Sequence, residues 1–487
     1  MISFNNIQFG LRTPGQYIEF DNSRAVRGLP AIANRILLIG QKLATGTAAE
    51  LTFQPIVEAD QASTLFGRAS QLHRMAKFLK AADNYSECVA IAIDDPAAGT
   101  AATGTIAVTG PATATGTIAL MIAGQSVPVV VPSGTSAAAT ATLIGAAITA
   151  ALDLPVTASV TDDDVTITAR HKGLIGNDID IRHSHYSGEV LPSGIGLTIT
   201  DMASGAGEPD YAEVTALLGD NEYRTIIVGS ASTAVLDDME TELNDRWGPL
   251  RMLESFCYAG MKGTQAAMAT FGDGRNSELV SIIGSGKSPT PPWEVAASYG
   301  GTIGYHAQID PARPFQTLEL KGVLAPKEAD RFTRAERELL LQDGISTFTV
   351  DGGGAVYIER AITTYQVNAL DIEDVSYLDV NTPLTLAFLR QAVRIRIAAK
   401  YPRHKLANDG TRYAAGQAIV TPSVIRAELI ALFRELEEAG LVEQLDQFKD
   451  DLIVERDEND ANRLNALIPP DIVNQFRSFA AAIQFRL

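Results

Sequence analysis

The sequence predicts a multidomain chain of mixed class: an α/β core, a β-rich insertion within it, an α+β C-terminal domain, and an apolar strand arm at each terminus. Three observations predict this. At 487 residues the chain exceeds the roughly 250–300 at which a single core stops growing. Strand-like and helix-like segments alternate from Asn34 to Pro96 and resume after Asp201. Between them the composition turns abruptly to Ala, Thr and Gly.

Taken in order, Ile2 and Phe4, then Ile7, Phe9 and Leu11, fall on alternate positions, with Asn5-Asn6 shifting the register as a bulge would. From Asn34 follow the apolar strand RILLIG, the strand TFQPIV, one helix through Leu65, Leu72, Met75 and Leu79, and the strand CVAIAI. The insertion carries the strand segments GTIAVTG, GTIALMIA, VPVVV, VTASV and VTITA, with a helix near Ala137–Leu152. DMASGAGEPD, from Asp201, reads as a glycine-rich linker back to the core. Then come the helix YAEVTALL, the strand TIIVGS, a helix from Thr233 to Trp247 and a strand around SFCYAG. The helix AERELLLQDG stops at glycine, and ISTFTV and AVYIERAITTYQV flank an Asp351-Gly-Gly-Gly turn. Helices from about Pro383 to Lys400 and from Ser423 to Glu438 follow, the second capped by Thr421 or Ser423 and ended by Gly440. After a strand at LIVERDE, Phe479, Ala481, Ile483, Phe485 and Leu487 alternate with Ala480, Ala482, Gln484 and Arg486 to the last residue. A terminal strand with no hairpin partner pairs either with a sheet of its own chain or with another subunit, and the pattern leaves both open. The segments divide the chain at 1–20, 21–96, 97–204, 205–365, 366–478 and 479–487.

Composition narrows the function. An apolar fraction of 46% with 20% charged residues is that of a globular protein. No stretch reaches the ~20 apolar residues of a membrane span, and MISFNNIQFG lacks the basic start of a signal peptide, so a soluble, cytosolically made chain without membrane insertion is expected. A net charge of −19 argues against nucleic acid as a partner, since phosphate recognition needs a basic surface. The charge is uneven: twelve acidic and three basic residues between Glu428 and Asp460, against seven basic and one acidic between Arg390 and Arg412. These blocks are either solvated faces or surfaces by which copies dock. Cys88 and Cys257 are far apart and read as two reduced thiols packed as small hydrophobes.

Motifs for chemistry are few. Gly284-Ser-Gly-Lys-Ser288 imitates the end of a phosphate loop, but the loop's first glycine is replaced by Ser281, and Pro-Thr-Pro-Pro follows where a helix should open. Among the histidines, at 73, 171, 183, 185, 306 and 404, only His183-x-His185 are close, and on a strand they would share a face, with Asp178 or Asp180 as a third metal ligand. A solvated strand edge accounts for them more simply, and Asp162-Asp163-Asp164 reads as a hairpin turn rather than a calcium loop. There is no Gly-x-Ser-x-Gly elbow and no His-Glu-x-x-His, and neither an enzyme nor a cofactor is expected.

Several long segments resemble the Mu-like sheath family of contractile phage tails: TPGQYIEFDNSRAVRGLPAIANRILLIG, LFGRASQLHRMAKFL, HKGLIGNDIDIR, ELNDRWGPLR, SPTPPWEVAA, DPARPFQTLEL, DRFTRAERELLLQDGISTFTVDGG and YIERAITTYQVN. The resemblance spans nearly the whole chain. It implies a structural subunit of the virion tail, assembled in the host cytoplasm as stacked hexameric rings around an inner tail tube. Baseplate and tail terminator proteins are implied as further partners. Such a sheath contracts to drive the tube through the target envelope, releasing energy through new subunit contacts rather than nucleotide hydrolysis. The resemblance also implies a subtilisin-like α/β domain without an active site, an outer β-sandwich-like insertion, and a C-terminal domain facing the tube. It makes Ile2–Leu11 and Phe479–Leu487 intersubunit arms, and Arg390, Arg394, Arg396, Lys400, Arg403 and Lys405 candidate contacts to the tube or a neighbour. The alternatives are the sheath of a bacteriocin or defective prophage, a nucleotide-binding enzyme using Gly284–Ser288, and a glycan-binding surface protein.

Overall fold

The computed structural model describes residues 34–414 and 416–486, with Thr13, Gln16 and Leu29. The predicted N-terminal strand, with Ile2, Phe4, Ile7, Phe9 and Leu11, lies outside the described residues. The chain forms two units, one of residues 33–310 and 315–383, the other of 1–32, 311–314 and 384–487.

The first unit begins with β1 (Arg35–Gln41), β2 (Phe53–Pro55), α1 (Ala59–Phe66), α2 (Gln71–Ala82) and β3 (Glu87–Ile93). The insertion supplies β4 (Ala101–Thr109), β5 (Gly116–Ile122), β6 (Gln125–Val131), α3 (Ala137–Ala150), β7 (Val156–Thr161), β8 (Asp164–Lys172), β9 (Ile181–His183) and β10 (Gly196–Ala203). The core then resumes with α4 (Ala212–Leu218), β11 (Thr225–Val228), α5 (Thr233–Trp247), β12 (Phe256–Lys262), α6 (Gln265–Asp273) and β13 (Val280–Gly286). It closes with α7 (Pro292–Ile309), α8 (Arg334–Gln342), β14 (Ile345–Val350) and β15 (Val356–Arg360). The core strands form one sheet in the order β15-β14-β13-β12-β11-β1-β3-β2, parallel from β14 to β3 and antiparallel at both edges. Its central strands are continuous apolar runs because both their faces are buried: Ile36 to Ile39, Ala90 to Ala92 and Ile282 to Ile283 are wholly inaccessible. Helices α2 and α7 pack together on this sheet, and α5, α6 and α8 form a second group against β12 and β14. In the insertion, by contrast, β4 alternates buried and exposed positions, as one-faced antiparallel strands do, in the sheet β10-β4-β8-β7. A second sheet, β6-β5-β9, completes the insertion with α3.

The second unit contains α9 (Asn381–Lys400) from Leu384 onward, β16 (Lys405–Leu406), β17 (Ile419–Val420), α10 (Pro422–Glu438) and β18 (Val442–Glu443). It continues with α11 (Leu445–Asp451), β19 (Ile453–Arg456), β20 (Leu464–Leu467) and β21 (Asp471–Ile472). Its core gathers Leu389, Leu429, Leu432, Leu436 and Leu441 around Phe433 and Phe448, whose rings stack at 3.8 Å. Thr421 caps α10 by accepting from the Val424 amide.

Four expectations change. The helix through Leu65 and Leu79 is two helices, because Gly67 (φ 85°) and Ala69 (φ 65°) are left-handed, and a Cβ on Gly67 would meet Thr45 Oγ1 at 2.6 Å. Asp201 to Ala203 belong to β10, pairing onward to β4, so the linker begins only at Ser204. The strand AVYIERAITTYQV stops at Arg360, after which Ile362 and Val367 make single bridges to Asp379 and Glu373. Residues 473–486 form no strand, since among the described residues their backbone joins no ladder.

Candidate assembly interface

An open parallel sheet binds ligands where the strand connections diverge, outside the carboxyl ends of its strands. Here β1 leads to β3 on one side and lies against β11 on the other, so that crevice is at Gln41 and Gly229. It is filled from within. Gln71 donates its Nε2 to the Gly229 carbonyl at 2.7 Å and accepts the Gln41 amide at 2.8 Å, and a Cβ on Gly229 would collide with it. Beside it, His171 of the insertion accepts the Gln71 amide on Nε2 at 3.0 Å, which leaves Nδ1 to carry the hydrogen toward Asp95 at 2.7 Å. Asp95 also accepts from Gln41 Nε2 and the Lys172 amide. Burial pushes the Asp95 carboxyl up, but the hydrogen bonds from His171, the Lys172 amide and Gln41 outweigh it and hold the group below its ordinary value. The start of α5 is likewise closed by the carboxylate of Glu208, which accepts from Ser230 and Ser232. The place where this fold would hold a ligand is therefore the joint that fastens the insertion to the core.

The Gly284–Ser288 segment is also used internally. Gly284 to Gly286 finish β13, Lys287 pairs with Asp330 at 2.8 Å, and the buried Ser288 hydroxyl donates to the Leu324 carbonyl. A helix does follow, but only from Pro292, and its opening turn has no glycine loop before it. His183 and His185 do not share a strand face: β9 ends at His183, and Ser184 turns the chain with φ 50°. Asp180 is taken by Arg182, at 2.5 and 2.6 Å, and lies 3.6 Å from Lys262. Asp162 (φ 52°) and Asp163 form the two-residue turn between β7 and β8. Both thiols are buried, and burial pushes Cys88 up to about 12 and Cys257 higher.

Among the described residues the second unit offers open strand edges. β19 and β20 form a sheet of two strands, with Ile453 and Leu467 exposed. Val473 donates its amide to the Leu441 carbonyl, and beyond it the chain runs in solvent, Phe479 80%, Ile483 90% and Phe485 79% exposed. Ala481 is exposed as well, and Leu487 lies outside the described residues. An apolar groove of about 340 Å³ opens between Leu386, Leu389, Leu432, Phe448, Ile468 and Pro470, with Arg390 on its wall. The basic block is divided. Arg396 is held by Glu428 at 3.1 Å and by Glu435, and Lys400 reaches Glu428 at 2.6 Å, so the acidic and basic stretches meet within one chain. Arg394, Arg403 and Lys405 are exposed, Lys405 within 3.4 Å of Gln417.

Family models match most of the chain: the phage tail sheath β-sandwich domain at residues 97–198, the phage tail sheath central domain at 204–364, and the phage tail sheath C-terminal domain at 373–486. The chain is 46% identical over 486 residues to the Mu-like prophage FluMu tail sheath protein of Haemophilus influenzae, with 100% of both chains covered. Among solved structures, the sheath tail protein of Desulfitobacterium hafniense aligns at 14% identity and a TM-score of 0.48, covering 94% of this chain and 100% of that one. The PVC sheath complex of an extracellular contractile injection system, in its contracted state, aligns at 10% identity and 0.49, covering 98% of each. With three sheath domain models in register along it and a full-length Mu-like relative, the chain belongs to the phage tail sheath protein family.

Proposed function

We propose that this chain is the repeating subunit of a contractile tail sheath. Copies stack as hexameric rings around an inner tail tube, meet baseplate and tail terminator proteins at the ends, and shorten together to drive the tube through the target envelope. The α/β body is then subtilisin-like in fold, a reading supported by its parallel sheet between helix layers, and serves as a rigid block. The segment from Phe479 to Leu487 is an arm that adds a strand to the sheet of a neighbouring copy, with Ile2–Leu11 as its counterpart.

The observation that carries this reading is the C-terminal segment: Phe479, Ile483 and Phe485 alternate in solvent, in a unit whose β19–β20 sheet pairs with no further strand among the described residues. Backbone pairing suits a tie between bodies that reorient, because the ladder is independent of side-chain docking. Arg394, Arg403 and Lys405 are exposed, and they are candidate contacts to a tube or a neighbour. Removing Phe479–Leu487 is expected to abolish tubes and rings in electron micrographs while the thermal transition persists. Tubes formed by the truncated chain would refute the arm.

A further inference from the structure

The first unit carries an exposed apolar loop at one pole of its sheet and, at the other, a cavity of mixed charge that holds Arg331. The loop follows Thr364, whose amide donates to the Val280 carbonyl at the start of β13. Its tip is organised by Asn368: the Oδ1 accepts the Leu370 amide at 2.9 Å and the Ile372 amide at 3.3 Å, and the Asn368 amide returns to the Ile372 carbonyl at 2.9 Å. Asp374 is fixed by Tyr365 and Ser376. This scaffold holds Leu370, Ile372 and Val375 in solvent at 77%, 58% and 70% exposure, interleaved with the exposed carboxylates of Asp371 and Glu373. Apolar side chains clustered in water on one hydrogen-bonded loop are arranged as a contact surface is.

At the carboxyl end of β13 and β14 lies a cavity of about 210 Å³, lined by Gly284 to Gly286, Pro326, Asp330, Arg331, Phe332, Arg337 and the end of β14 from Thr347 to Val350. Gly286 makes room for it, since a Cβ there would meet the Phe332 ring at 2.9 Å. Arg337 is matched by Glu359 at 2.7 Å. Arg331 donates Nε to the Pro326 carbonyl at 3.3 Å, and among the described residues no carboxylate pairs with its guanidinium. Lys287 stands at the rim, paired with Asp330.

We infer that the Leu370–Val375 loop of one copy seats in the Arg331–Phe332 cavity of the next, its apolar side chains against Phe332, Phe348 and Val350 and its carboxylates toward Arg331. This rests on the sheath reading and specifies one of its contacts. With Lys287 matched by Asp330 and Arg337 by Glu359, the charge complementarity lies between the loop carboxylates and Arg331, in a chain whose net charge of −19 otherwise sets copies against one another. The geometry is heterologous: the two patches lie off opposite ends of β13, whose seven residues alone span about 20 Å. A contact of that kind repeats indefinitely, closing into rings or opening into helices.

The test is a disulfide between chains. Leu370→Cys and Thr349→Cys are made in separate full-length chains, mixed, assembled and oxidised, with Tyr85→Cys replacing Thr349→Cys as a surface control; Cys88 and Cys257 are buried and stay silent. A linked dimer at several-fold higher yield in the Leu370→Cys and Thr349→Cys mixture than in the control is the expected result. Polymers that form normally in electron micrographs but yield no more linked dimer than the control overturn the contact and leave the sheath reading intact. Failure of the unmodified chain to polymerise overturns the sheath reading, and the contact with it.

Discussion

Arg74 joins three parts of the first unit. It lies on α2, donates Nη2 to Glu294 of α7 at 2.8 Å, and reaches the Asp153 and Ala123 carbonyls of the insertion at 3.2 and 3.4 Å. Its partner is wholly buried, and desolvation pushes the Glu294 carboxyl up against the pull of Arg74. Arg74→Ala would leave that carboxyl with no counter-charge, so a loss of about 3–5 kcal/mol is expected in urea unfolding; a loss below about 1 kcal/mol would show the pair to be dispensable. Asp178 gives the opposite sign. Burial raises its carboxyl from 3.8 to about 6, with Lys262 opposing. A carboxyl raised in the folded state favours folding while protonated, so the native protein loses stability as pH rises from about 4 through about 6. Asp178→Asn is therefore expected to be the more stable protein at about pH 7.5, by about 1–3 kcal/mol, with the gain vanishing near pH 4. Equal stability at both pH values would contradict the assignment. Neither residue stood out in the sequence, where Arg74 is one cation in an amphipathic helix and Glu294 follows a tryptophan; their meeting is purely tertiary.

At the scale of elements, legibility followed the source of each signal. The runs RILLIG and CVAIAI announced buried parallel strands because burial on both faces removes every polar position. Thr233–Trp247 and Pro422–Glu438 were readable from caps and apolar spacing. Helix α7 was not. Its Gly300, Gly301 and Gly304 lower helix propensity, yet each is where a neighbour presses in: Ile227 on Gly300, Leu79 on Gly301, Thr225 on Gly304. Gly300→Ala makes the conflict measurable. Propensity alone favours alanine by about 1 kcal/mol, but the new Cβ would stand 2.8 Å from Ile227 and 3.1 Å from Tyr258. A net destabilisation of about 1–3 kcal/mol in thermal unfolding is expected, and a rise in Tm would show that the helix has room to move. The acidic and basic blocks were legible as composition, but the pairing of Arg396 with Glu428 and Glu435 required knowing that α9 and α10 lie side by side. Burial pushes Glu428 up, yet Lys400 and Arg396 bring it below its ordinary value, so that bridge weakens as pH falls into the acid range.

For the whole molecule, the fold spends its usual ligand crevice on a joint. Gln41, Gln71, Asp95 and His171 close the mouth of the sheet and bind the insertion to the core, which suits a body that must transmit force more than one that must admit a substrate. Among the described residues no helix is long and apolar enough to cross a membrane. The terminal alternation from Phe479 was the clearest functional signal in the sequence, and the isolated chain leaves its partner open: the segment pairs with no strand of its own copy among the described residues. In the proposed sheath its complement lies on another molecule, which no single sequence pattern can specify. Electron microscopy of the full-length chain, reconstructed to the point where strands resolve, tests this most directly. The account predicts helical tubes or stacked rings in which residues 479–486 lie as an added strand on the sheet of a neighbouring copy. A chain that stays monomeric at high concentration, or tubes in which that segment pairs with no neighbour, would contradict it.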